Sequence, residues 1–165
     1  MFKIKLFSFS SLVTIVTLYS CSPTLMKENK MGHRCDTWVK NFYREPVEDR
    51  VSQFKKFDIK KQYHNYICGT RIIHPPAIYL AEPLAMRGKE AVNYLSDKLI
   101  QTKNDLTIRD IIYIFTLMQQ LKTYDVLKDQ SLMRIINESL IKVKDEDWKK
   151  YIQKNISEYI YGNKL

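Results

Sequence analysis

The stretch Gly88-Lys89-Glu90-Ala91-Val92-Asn93-Tyr94-Leu95-Ser96-Asp97-Lys98-Leu99, followed after a short polar break by Asp105-Leu106-Thr107-Ile108-Arg109-Asp110-Ile111-Ile112-Tyr113-Ile114-Phe115, decides the fold. Ala91, Val92, Leu95 and Leu99 follow one another at spacings that put all four on one face of a 3.6-residue helix. In the second segment Ile108, Ile111, Ile112, Phe115, Met118 and Leu121 keep the same period, while Ile114 and Leu117 fill other faces. A helix apolar nearly all round has to be buried. Asp105 and Thr107 are candidate caps for it, with Asp110 three residues after Thr107 in a capping-box-like spacing. One amphipathic helix and one buried helix, joined by a short loop, predict an all-α domain.

The chain on either side agrees. Toward the N-terminus, Pro46 suits a first helical position, and Val47, Val51 and Phe54 share a face. Asp58 is a candidate N-cap for a helix carrying Ile59, Tyr63, Tyr66 and Ile67, with Gly69 placed just past its end. His74-Pro75-Pro76 breaks the chain. The pattern resumes through Ile78, Leu80, Ala81, Leu84 and Ala85 to Gly88, with Pro83 expected to kink or split it. Toward the C-terminus come Leu132, Ile135, Ile136, Leu140, Ile141 and Val143. A last helix then opens on the acids Asp145, Glu146 and Asp147, well placed against its dipole. It keeps Trp148, Ile152, Ile156 and Tyr159 on one face and runs to Gly162. No segment alternates as a strand does, and with Gly at 4 and Pro at 5 a turn-rich β fold is disfavoured. The reading is about six or seven helices in a single domain over residues 46–165.

Gly88, Ala91, Val92, Leu95, Leu99, Asp105, Ile108 and Arg109 together resemble one HEAT-type helical repeat. That resemblance implies antiparallel helix pairs stacked as in an α-α superhelix. It covers residues 88–121 alone, and no second copy recurs at a fixed period, as a solenoid would require.

The N-terminus has a different character. Lys3 and Lys5 form a short basic region, and no charge follows from Leu6 to Ser20. The apolar core, Leu12 to Leu18, has the length and flanks of a signal-peptide h-region. It falls short of the ~20 residues a spanning helix needs. Leu18-Tyr19-Ser20-Cys21 resembles the lipobox of bacterial lipoproteins: an aliphatic residue, a variable one, a small one, then cysteine. The resemblance implies a signal peptide over 1–20, cleavage before Cys21, and diacylglycerol and palmitate-type acylation at Cys21. Residues 21–45 are then a lipidated N-terminus and tether. A bacterial cell-envelope address follows. Ser22 is not the aspartate that favours inner-membrane retention, so the periplasmic face of the outer membrane is expected in a Gram-negative cell.

Lipidation at Cys21 leaves two cysteines, Cys35 and Cys68. In an oxidising envelope they are a candidate disulfide. Free buried thiols are a second reading. A third is a tetrahedral zinc site from His33, Cys35, His64 and Cys68, the last two one helical turn apart. The net charge of +9, from 27 basic and 18 acidic residues, is spread along the chain. Its densest cluster is Lys55, Lys56, Lys60 and Lys61. With Arg71 and His74 these lysines are the candidate partner-binding surface, although a solvated helix face accounts for such a cluster as well. Nucleic acid is not expected as a partner, since that role wants a stronger basic asymmetry. There is no Gly-rich phosphate loop, no Gly-x-Ser-x-Gly elbow and no His-Glu-x-x-His. Catalysis is therefore not expected, nor is a cofactor, and a small-molecule ligand stays open. The leading expectation is a membrane-anchored interaction or scaffold module binding another envelope protein. Two alternatives stand beside it: an immunity or inhibitor lipoprotein against an envelope-acting toxin, and an enzyme using Arg71 and His74.

Overall fold

Helix α6, Asp105–Leu121, runs through the middle of the domain, and four other helices pack against it. The computed structural model describes Cys35 and residues 37–162. Within these lie α1 (Thr37–Phe42), α2 (Val47–Lys55), α3 (Ile59–Ile72) and α4 (Ala81–Ala85). Then come α5 (Lys89–Gln101), α6, α7 (Gln130–Ile141) and α8 (Glu146–Asn155). A 3-10 turn over Ile78–Leu80 leads into α4, and a π turn over Ile156–Ile160 prolongs α8. The protein is all-α; no strand occurs among the described residues. The eight helices exceed the expected number mainly because short pieces, α1 and α4, stand as separate elements.

The all-round apolar character of α6 has its counterpart in packing. Ile108, Ile111, Ile114, Phe115 and Met118 are all fully buried, and α6 touches α4, α5, α7 and α8. Helix α5 meets α6 across residues 102–104 and lays Ala91, Leu95 and Leu99 against the core. Four helices, α3, α6, α7 and α8, start on a side chain that takes an orphan backbone N–H. Asp58 accepts from Lys61 N at 2.8 Å, Asp129 from Leu132 N at 2.9 Å, and Asp145 from Asp147 N and Trp148 N at 3.0 Å.

Four local expectations are corrected. The cap of α6 is Asn104, whose side chain accepts from Thr107 N at 3.0 Å. Asp105 instead reaches across to the start of α8, accepting from Lys144 N at 3.0 Å and Asp145 N at 2.9 Å. Gly69 lies inside α3, which continues to Ile72. A Cβ at Gly69 would run into the Tyr43 hydroxyl and come within 2.8 Å of the Ala77 Cβ, so the glycine permits a close approach and does not end the helix. Pro83 neither kinks nor splits α4: it is the third residue of that helix, in the first turn, where its missing N–H costs nothing. The division of this segment falls earlier, between the 3-10 turn and α4. Finally, the domain starts before residue 46. In α1, Val39 and Phe42 are buried, and Phe42 packs among Tyr43, Phe54 and Phe57.

Gly88 has φ +56 and a would-be Cβ 2.8 Å from Thr123 O, while the Thr123 hydroxyl donates to Ala85 O at 2.7 Å. The turn between α4 and α5 is thereby fastened to the end of α6. At the other end of α5, Lys142 Nζ donates to Ile100 O at 2.8 Å and Leu99 O at 3.3 Å, occupying carbonyls that the helix leaves open.

Replacing Gly69 by Ala forces Tyr43 or the Ala77 segment to move. The expected cost is about 1–3 kcal/mol, read as a lowered urea midpoint with an unchanged m-value. Tyr43, Tyr63 and Tyr66 supply the second expectation. Burial, ahead of neighbouring tyrosine or Asp110 charge, pushes all three phenols well above their usual range. The folded state therefore keeps protons that the unfolded chain releases above pH ~10. Their contribution is intact below that pH and is lost above it, by about 1.4 kcal/mol per pH unit for each such tyrosine. Urea titrations between pH 8 and 11 should show this fall, and Tyr66→Phe should flatten it.

Candidate functional site

Two features are candidates for function: a buried carboxylate between α3 and α6, and an apolar groove on the outer side of α7. The carboxylate is Asp110, 2% exposed. Its position on the inner face of α6 follows from helix geometry, since it shares that face with Thr107 and Ile114. Oδ2 accepts from the Thr70 hydroxyl at 2.9 Å and from Arg71 Nη1 at 2.8 Å. Oδ1 accepts from Arg109 Nε at 2.8 Å and Nη2 at 2.6 Å. Arg71 Nη2 also donates to Thr107 Oγ1 at 2.9 Å and, more weakly, to Asn104 Oδ1 at 3.4 Å. The Arg109 guanidinium lies 4.5 Å from the centre of the Trp148 ring. Three side chains, Thr70 and Arg71 from α3 and Arg109 from α6, thus converge on one carboxylate, with α8 supplying the ring.

An ionised carboxylate taken out of water is costly unless paired and hydrogen bonded. Here both carboxylate oxygens of Asp110 have donors. The two arginines remain about one-fifth exposed at their side chains, 23% and 19%. Arg71, named in the sequence as a candidate for polar chemistry or partner binding, is occupied in holding α3 to α6. His74 is exposed and sits on the turn after α3, next to Pro75 and Pro76. Neither Arg71 nor His74 lines the groove along α7 or the one between α5 and α7.

The lysine cluster is also divided. Lys55, Lys56 and Lys60 are exposed. Lys61 is half-buried, its ammonium 3.9 Å from the centre of the Trp38 ring and 4.2 Å from that of Phe57, a cation–π arrangement that ties α3 to α1. Arg71 is ten residues farther along the same helix, roughly 15 Å at 1.5 Å per residue. Of the six residues of the expected partner surface, Lys61 and Arg71 are thus engaged inside the domain, while Lys55, Lys56, Lys60 and His74 are exposed.

Cys35 and Cys68 form a disulfide, with their Cα atoms 5.7 Å apart. Of the three states open to the sequence, this one removes the zinc set, because a bridged sulfur offers no thiolate to a metal. His33 lies outside the described residues, as does Cys21. Among the described residues no group of three or more His, Cys, Asp or Glu could hold a metal ion. The bridge closes a separation of 33 residues and pins the chain just before α1 to the buried side of α3. In the chain-entropy account such a loop is worth about 3–4 kcal/mol.

The second feature was missed from the sequence. An open groove of about 510 Å³ runs along α7, with Leu127, Met133, Ile141 and Tyr161 as its apolar parts and Arg134 and Glu138 among its polar ones. Ile141 is 79% exposed, the largest value among the big apolar side chains of the described residues, and Leu127 and Tyr161 are 44% and 48% exposed. Periodicity held the signal. The buried side of α7 is centred on Leu132, Ile136 and Ser139, and Ile141 lies five residues after Ile136, about 140° round the helix. A residue so far from the core stripe belongs outside, whatever its hydrophobicity.

No family model, no curated protein and no solved structure matches the chain. Among the described residues no helix is long and apolar enough to cross a membrane.

Replacing Asp110 by Asn removes the charge while keeping the shape, and leaves Arg71 and Arg109 facing each other. Breaking a fully buried pair costs about 3–5 kcal/mol, and partial exposure of the arginines should reduce this to about 2–4. Guanidinium unfolding of the variant measures it. A loss below about 0.5 kcal/mol would mean the cluster contributes no more than an ordinary surface substitution.

Proposed function

We propose that the chain is a cell-envelope lipoprotein, held to the membrane by lipid on Cys21, whose helical domain serves as a protein-interaction module. The observation that carries the reading is the set of exposed apolar side chains around an open groove: Ile141 at the end of α7, Leu127 in the turn before that helix, and Tyr161 after the π turn. Scattered exposed apolar residues are ordinary, but a contiguous set rimmed by polar groups marks a contact surface. Arg134, Gln130, Asn137 and Glu138 make that rim. The disulfide supports the envelope address, since such bonds persist in oxidising compartments. It also fits an anchored protein mechanically. Any pull through the N-terminal chain reaches the core at Cys68 on α3 and bypasses the short helix α1.

Two measurements test this together. In a Gram-negative host, Cys21→Ala should lose palmitate labelling and move the chain from the membrane pellet to the soluble fraction; labelling that survives the substitution refutes the address. Ile141→Asp, at a site 79% exposed, should change stability by no more than about 0.5 kcal/mol. It should also abolish saturable retention of a stoichiometric protein on the immobilised chain. Equal retention by both forms refutes the assignment of α7 as the contact face.

A further inference from the structure

Close to the point where the N-terminal chain enters the domain, the surface is basic and aromatic. Trp38 lies in α1, three residues after the bridged Cys35, and is 39% exposed. Its ring meets Phe57 edge-on at 5.3 Å and stacks with Phe42 at 5.9 Å. Phe57 stands in the turn between α2 and α3, so the indole is joined to that turn. Lys55 and Lys56 come just before Phe57, Lys60 comes three residues after it, and all three are exposed. The Lys61 ammonium lies 3.9 Å from the centre of the Trp38 ring. Asp58 is the one carboxylate between residues 55 and 61, and it accepts from Lys61 N as the cap of α3. The neighbouring acids, Glu45, Glu48 and Asp49, lie before α2 or in its first turn, about 9 Å or more along the helix axis from Lys55. A lysine cluster by itself is ordinary solvated surface. A partly exposed indole beside one is a second feature, because a large apolar ring with one polar N–H is suited to the headgroup layer of a membrane.

We infer that this corner, Trp38 with Lys55, Lys56 and Lys60, docks on an anionic lipid surface and so sets the orientation of the domain on its membrane. The inference rests on the reading of Cys21 as the lipidated residue and goes beyond it. The occupant follows from the place at which the chain enters. Cys35 comes 14 residues after Cys21, a span of at most ~50 Å when fully extended. The disulfide fixes that entry point to α3, the helix that also carries Lys60 and Lys61. A membrane that holds the lipid is therefore kept within reach of the corner, at high effective concentration. The chemistry is complementary on both counts. Anionic headgroups attract each nearby lysine by about a fivefold gain in binding, and the indole takes the headgroup level. An acidic protein would complement the lysines as well, but the covalent tether delivers the membrane, and nothing delivers such a protein. Acyl chains hold the chain to the bilayer without orienting it, and a second contact supplies the orientation. The corner and the groove beside α7 share no element, so the groove stays available to a protein partner.

The test uses the full chain, purified from bacterial cells and reconstituted into vesicles whose acyl chains carry bromine, a quencher of nearby indoles. One set of vesicles is phosphatidylcholine; the other is the same lipid mixed with phosphatidylglycerol. Tryptophan quenching is expected in the anionic vesicles and near background in the neutral ones, since three lysines shift the docked ratio by about a hundredfold. Trp38→Phe should remove the quenching and leave Trp148, the other tryptophan, unquenched. Lys55→Gln, Lys56→Gln and Lys60→Gln together, with Trp38 intact, should bring it down to the neutral level. Salt at ~1 M, where charges are screened beyond about 3 Å, should do the same. Equal quenching in both kinds of vesicle, or quenching that survives Trp38→Phe or the triple substitution, overturns the docking. The mass of the peptide carrying Cys21 is read on the same preparation. Lipid on Cys21 without quenching in anionic vesicles overturns the docking and leaves the envelope address standing. A Cys21 without lipid overturns the address, and quenching on mixing that chain with anionic vesicles then decides the docking by itself. Urea midpoints of each variant separate lost docking from lost fold.

Discussion

One carboxylate, withdrawn from water between α3 and α6, sets a condition that the surrounding helices meet. Asp110 is buried, so it needs both charge compensation and a donor for each oxygen. Arg109 supplies one from the adjacent position on α6, and Arg71 supplies the other from α3. Arg71 can do so only where the last turn of α3 lies beside the first turns of α6. The same guanidinium reaches Thr107 and Asn104, the residues at which α6 begins. Arg109 in turn covers the face of Trp148, which draws the start of α8 to the same place. Apolar packing alone would accept several rotations and shifts of one helix along another. A buried charge with directional partners accepts few, and this is the register the helices adopt.

The other long-range ties are polar fastenings at helix ends. Asp105 takes the two backbone N–H groups where α8 begins, Lys142 covers the last carbonyls of α5, and the Thr123 hydroxyl holds the turn before α5. Each uses a backbone group that the helix itself leaves unpaired. At the N-terminal side the disulfide and the stacking of Lys61 on Trp38 and Phe57 hold the short helix α1, which at six residues is too short to persist alone. The molecule thus joins an apolar centre on α6 to a ring of covalent and hydrogen-bonded fastenings. Among the described residues, Leu127, Ile141 and Tyr161 around α7 are left outside that arrangement.

That distribution bears on function. Arg71, expected on a partner surface, has an internal duty, and Lys61 is half withdrawn onto aromatic rings. What faces solvent as a set is Leu127, Arg134, Glu138 and Ile141 on and beside α7. A surface with both charges and apolar ends suits a protein contact better than an anionic polymer, which would call for one sign of charge.

From the sequence alone the helical class could be read, because the apolar period of α5, α6 and α8 is a local property and survives without tertiary context. The cap at Asp58 was legible for the same reason: its side chain accepts from a backbone group three residues away. Asp110 was not. Its spacing from Thr107 suits a local cap, and only the approach of α3, about forty positions earlier in the chain, makes it the partner of Arg71. Gly69 reads as a helix end until Tyr43 and Ala77 are brought against it. Ile141 reads as core until the other helices show which side of α7 they cover. Local pattern therefore determined which segments are helices and where most begin. Tertiary structure decided which polar groups are buried together and which apolar ones stay outside, since both depend on contacts between residues far apart in the chain.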